Sequence, residues 1–220
     1  MPTSIASVFE KAKKLARSGQ YSDAENLLSK LAPKVTDDKL LILIEIEQTR
    51  IRVNKGISSE DEINKLIERS KSINFDKGLA EALYLASHFY IMTKKYTKAL
   101  EILKNSPLLD LYSKLADMRG LGNFFVSKSI ISLIQEDLLA STNEINTAMR
   151  LFRQADDING IISCYLILGR IEERKGDKME AITHFRAALT KSYTAGNKAA
   201  IKESSKFLER LSKQVPSREE

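Results

Sequence analysis

The side chains in this sequence that could act on another molecule are few and scattered. There are two histidines, His88 and His184, and one cysteine, Cys164. Neither histidine has a Cys, an Asp or a second His at metal-ligand spacing. Glu180 stands one turn before His184, but two ligands alone do not make a metal site. The acid runs are Asp37-Asp38, Glu60-Asp61-Glu62, Asp156-Asp157 and Glu172-Glu173. The first three fall where helices should begin, and negative charge there is favoured by the helix dipole. They read as helix starts rather than as a catalytic carboxylate pair. Gly120-Leu121-Gly122 lacks the further glycine and the preceding strand of a phosphate-binding loop. Catalysis needs several groups held together, so the sequence predicts no enzyme, no metal and no cofactor.

The elements that would have to position these residues are helices. A six-residue phrase recurs three times, as Gly19-Gln20-Tyr21-Ser22-Asp23-Ala24, Lys94-Lys95-Tyr96-Thr97-Lys98-Ala99 and Gly176-Asp177-Lys178-Met179-Glu180-Ala181. Each copy lies between two apolar stripes at helical spacing. A second phrase marks the starts of the preceding helices: Asp76-Lys77-Gly78-Leu79, Met118-Arg119-Gly120-Leu121 and Ile158-Asn159-Gly160-Ile161. Asp38-Lys39-Leu40 and Asn197-Lys198-Ala199 hold matching places without the glycine. The spacing of about 40 residues is within the range of helical-repeat units.

This phasing predicts five hairpins. The first is 4–18 with 21–32, ended by Pro33. The second is 37–54 with 59–72, broken at Gly56 and opened by a Ser59/Glu62 capping box. The third is 77–93 with 96–104, closed before Pro107. The fourth is the least regular: a short extra helix over 108–118, then 120–139 with 143–154. The fifth is 159–175 with 178–193, and a last helix over 198–213 has no following partner, so it caps the stack. One domain is expected over 1–214, with a flexible tail over 215–220.

Bulk numbers agree with an all-α chain. Nine Gly and four Pro in 220 residues leave most of it free to be helical. Trp is absent and aromatics are only 7%, which argues against a β-sandwich or barrel. A single Cys excludes an internal disulfide framework, and Cys164 in Ile161-Ile162-Ser163-Cys164-Tyr165-Leu166 reads as a core residue in a reducing, cytoplasmic compartment. No signal peptide is expected at the N-terminus, and no apolar run approaches the roughly 20 residues of a membrane span.

These residues resemble tetratricopeptide repeats. In that family a small residue of the first helix packs on a small residue of the second. The matching pairs are Ala12 with Ala24, Ser87 with Ala99, and Gly169 with Ala181. Leu28, Leu103 and Phe185 fill the large apolar place that follows, and Ala188 meets the last family position. In the two degenerate hairpins, Thr49 and Ser129 hold the first small place, with Ile63 and Ala148 as their expected partners. The resemblance implies a right-handed α-solenoid of about five hairpins, without enzyme activity, whose concave face binds a peptide or helix of another protein. Some members clamp a chaperone's C-terminal carboxylate with Lys, Asn and Arg. Phe9, Lys13 and Leu166 stand where that clamp would be wanted, so it is absent.

Phasing from the small residues selects the side chains for the concave side: Glu47 and Arg50, then Tyr84, Leu85, His88 and Met92, then Arg170, Glu173 and Arg174. An apolar centre with flanking Arg suits an amphipathic helix or an extended, acidic peptide. A second surface is basic. Net charge is +6, and Lys11, Lys13, Lys14 and Arg17 lie in the first helix, with Lys202, Lys206, Arg210 and Lys213 along the last. Clustered cations on one helix side can meet nucleic-acid phosphates. Phe207 is the only aromatic among them, too little for a base-stacking platform. Docking of one copy on another through end hairpins is a third expectation.

Overall fold

The computed structural model describes residues 4–213. They form α1 (Ile5–Arg17), α2 (Tyr21–Leu31), α3 (Asp38–Asn54), α4 (Glu60–Ser72), α5 (Asp76–Met92), α6 (Tyr96–Asn105), α7 (Leu108–Lys114), α8 (Met118–Ile134), α9 (Leu138–Gln154), α10 (Ile158–Lys175), α11 (Lys178–Ala195) and α12 (Lys198–Ser212). A 3-10 turn, Ala32–Lys34, follows α2. The fold is all-helical, with no strand among the described residues. The chain divides into two compact units, Met1–Gly120 and Leu121–Glu220, with the division falling inside α8. The expected tail over 215–220 lies outside the described residues.

Short polar side chains open several of the helices. Asp37, Asp137, Asp177 and Asn197 each accept a hydrogen bond from the backbone N–H three residues on. At α4 the capping box is complete: Ser59 Oγ accepts from Glu62 N (3.3 Å), and Glu62 accepts from Ser59 N (3.4 Å). Each such cap stabilises its helix by about 1 kcal/mol.

Nine turns between successive helices share one closure. Each passes through a residue of positive φ: Gly19, Gly56, Asn74, Lys94, Ala116, Glu136, Asp156, Gly176 or Gly196. The next backbone N–H then reaches back to a carbonyl of the ending helix, as from Asp137 to Ser132 (3.0 Å) and from Asp177 to Glu172 (2.9 Å). This is the Schellman closure, which satisfies carbonyls left without helical partners.

Two expectations for the fourth hairpin are corrected. The turn falls at 135–137, not at 139–143, because Glu136 takes the left-handed conformation (φ 63°) without a glycine to mark it. The extra helix stops at Lys114 and Met118 already belongs to α8, since Ala116 makes the same kind of turn (φ 50°). Pro107 separates α6 from α7, and both helices pack on α5.

The paired small residues lie in the cores. Ala12, Ala24, Ser87, Ala99 and Ala181 are wholly buried. At Gly169 a Cβ would come within 2.6 Å of the Phe185 ring, so the glycine is what lets that ring sit against α10. The small partner of Ser129 is Ser141, not Ala148. The two hydroxyls lie 2.9 Å apart and each also donates to the other residue's carbonyl. That pair is 12 residues apart, the spacing of the three regular pairs. Ala148 is buried too, but two turns further along α9.

Candidate docking face on α3 and α5

In Met1–Gly120, α3 and α5 pack side by side and bring together most of the side chains selected for that unit. Arg50 is held between two carboxylates. Its Nη1 donates to Glu47 Oε1 (2.6 Å), one turn earlier on α3, and its Nη2 donates to Glu81 Oε2 (2.5 Å) on α5. Burial alone would push the guanidinium down. The two carboxylates more than offset it and hold Arg50 above its ordinary value.

The guanidinium lies over the Tyr84 ring at 5.9 Å, and Tyr84 stacks on His88 at 6.3 Å with 22° between the planes. His88 Nε2 lies 3.0 Å from Asn54 Oδ1. Burial first, and the charge of Arg50 second, hold the His88 imidazole down at about 4. The ring is therefore neutral, and Nε2 carries the proton it gives to Asn54. His88 is itself only half-buried. One turn beyond His88, Met92 is 52% exposed.

Tyr112 of α7 belongs to the same unit. It is 1% exposed, and its hydroxyl has no hydrogen-bond partner. Burial raises the phenol well above its ordinary value. Glu81 adds to the rise, and Arg50 acts against it. The ring lies against Gly120, where a Cβ would come within 2.3 Å of it.

The selected residues have different fates. Leu85 is wholly buried and is corrected to a core residue: the other face of α5 is apolar too, so phasing from Ser87 could not separate inward from outward. Glu47, at 6% exposure, serves Arg50. Arg50, Tyr84 and His88 are partly exposed, and Met92 is open. Asn54, Glu81 and Tyr112 were not expected. Asn54 could have been found one turn after Arg50. Glu81 and Tyr112 become visible only once α5 and α7 are placed.

In Leu121–Glu220 the selected residues are tied within the unit. Arg170 pairs with Glu203. Glu173 receives two hydrogen bonds from Arg210 (2.7 and 2.8 Å). Arg174 pairs with Glu136 (3.3 Å). Arg170 and Arg210 lie over the Phe207 ring at 5.0 and 5.3 Å, and Phe207 stacks on Phe185 at 4.6 Å. These contacts clamp α12 onto α10 and α11. Cys164 is a buried free thiol, pushed up to about 12 by burial. The His184 ring lies 6.1 Å from Tyr165, tilted by 36°, with Glu180 at 3.4 Å.

The basic surface divides as well. Lys13 pairs with Glu10 and covers the Phe9 ring, while Lys11 and Lys14 are exposed. Arg210 turns to Glu173 and Lys213 to Glu209. Lys202 and Lys206 are exposed. Among the described residues no group of three or more His, Cys, Asp or Glu is placed to hold a metal ion, and no helix is long and apolar enough to cross a membrane. No protein-family model and no curated protein matches this chain. The α3–α5 face presents a pre-assembled polar cluster beside one exposed methionine.

Proposed function

We infer that this protein is a non-enzymatic binding module built from tetratricopeptide-like hairpins, and that it works as a cytoplasmic adaptor or regulatory scaffold. The observation that carries this reading is the α3–α5 face, where Arg50, Tyr84 and His88 are fixed by Glu47, Glu81 and Asn54 next to the exposed Met92. A surface whose side chains are already ordered loses less freedom on binding, and that preserves affinity. Met92 supplies an adaptable apolar anchor, and Tyr and Arg are common hot-spot residues. The occupant is a peptide or helix of another protein. The buried free thiol of Cys164 suits a reducing compartment.

The test is capture from lysate by the full chain, with and without nuclease, compared with Met92→Glu. The reading expects a nuclease-resistant partner that Met92→Glu loses while its circular dichroism stays unchanged. Capture that survives Met92→Glu and fails only with Lys202→Ala/Lys206→Ala overturns it. That second result would favour nucleic-acid binding, whose support is the lysine row Lys198, Lys202 and Lys206 on the exposed side of α12. Its weakness is Phe207, already committed to the Phe185 stack.

A further inference from the structure

The charge on the α3–α5 face narrows the chemistry of its occupant. Two carboxylates, Glu47 and Glu81, share the single guanidinium of Arg50, and His88 is neutral. The cluster therefore carries one excess negative charge. It lies in a largely enclosed place, since the Arg50, Glu47 and Glu81 side chains are only 20%, 8% and 22% exposed. An excess charge held away from water is unfavourable until an opposite charge meets it. Glu81 stays open enough for that charge to arrive from solvent.

The Tyr112 hydroxyl of the same unit is buried without a hydrogen-bond partner, and Glu81, Arg50, Tyr84 and Asp117 all act on it. Buried polar groups without partners are rare in native proteins. Arg50 Nε is a second buried donor without a partner. An acidic occupant suits this face poorly. It would add a negative charge to a cluster already in excess, and the one guanidinium there is engaged by both carboxylates.

Resting on the docking reading above, we propose that the α3–α5 face receives a basic side chain of a protein partner. Its cationic head sits against Glu81, with Glu47 behind it. A lysine ammonium has three donors and no acceptor, which suits a pair of carboxylates. The apolar stem of the basic residue and its neighbours lie along Met92.

A display library of short random peptides, selected on the full chain, supplies the probe. A selected peptide is then titrated calorimetrically against the chain and Glu81→Gln, with its basic residue present or replaced by norleucine. The proposal expects a Lys or Arg in the selected peptides. Each single change should weaken binding by about tenfold or more, and the two together hardly more than one alone, because they remove the same contact. Independent losses, or selected peptides without a basic residue, overturn the proposal. If Met92→Glu still abolishes binding in that case, the docking reading stands without it. If Met92→Glu and His88→Ala leave binding intact, or if no peptide is selected, the docking reading fails and the proposal with it.

Discussion

Replacing Gly160 by Ala should destabilise the protein, although alanine is the better helix former. Gly160 lies in the first turn of α10, and its N–H already donates to Asp157 Oδ1 (3.2 Å), a bond alanine would keep. A Cβ there would stand 2.3 Å from Phe152 Cδ1 and 2.4 Å from Cγ. The same edge of the ring lies against Gly122, whose Cβ would stand 2.6 Å from Cε1. Phe152 is 1% exposed in the core with Ile145, Met149 and Ile167, so the ring has little room to recoil. Overpacking of this kind costs about 1–3 kcal/mol. The helix preference of alanine over glycine returns at most about 1 kcal/mol in a helix interior, and less in a first turn. The net expectation is a loss of about 1–2 kcal/mol, read from urea midpoints at unchanged slope. Phe152→Leu in the same background should relieve the clash, so the double variant should be more stable than the sum of the singles. A Gly160→Ala protein that gains about 1 kcal/mol, as helix preference alone would give, refutes the placement of the ring. So would strict additivity with Phe152→Leu.

Three further outcomes are expected. The depressed His88 imidazole makes the folded state bind fewer protons than the unfolded one, so its contribution is present above about pH 6.5 and lost as pH falls towards about 4. Allowing for partial exposure, the loss is roughly 1–2 kcal/mol, and a His88→Gln protein should show a flatter urea midpoint across that window. Ala116→Gly should stabilise by about 0.5–1 kcal/mol, since the left-handed conformation at φ 50° costs alanine more than the entropy glycine brings; a lower urea midpoint for this variant would contradict the turn. Phe207→Ala should cost about 2–3 kcal/mol, less than a fully buried phenylalanine, and hydrogen exchange should show the α12 amides losing protection first. Equal loss along α10 and α12 would refute the clamp formed by Phe185, Arg170 and Arg210.

The helices were legible where side chains mark their ends. Ser59 with Glu62 foretold the capping box of α4, and Gly19, Gly56 and Gly176 foretold turns. Glu136 could not announce its turn, because nothing in a glutamate favours positive φ and the closure is made by backbone bonds from Asp137 to Ser132. That single displacement moved the expected start of α9 and with it the small partner of Ser129. The 12-residue spacing of the other pairs, applied strictly, leads to Ser141. The α3–α5 face was half legible. Helical phasing found Arg50, Tyr84, His88 and Met92, but Leu85 passed the same test because α5 is apolar on more than one side. The partners that fix the face, Glu81 and Asn54, depend on the register of α5 against α3, which periodicity within one helix does not contain.

The shared turn closure bears on how this chain can change length. The segment from Asp157 to Gly196 begins with its own cap, contains one complete turn at Gly176 and ends on the left-handed residue that admits the next helix. Five of the nine such joints manage without glycine, so the joint asks little of its side chain. A second copy of that segment, spliced in after Gly196, would bring every turn and cap it needs and would present to α12 the α11 surface that α12 already fits. The protein is in that sense extensible, one hairpin at a time.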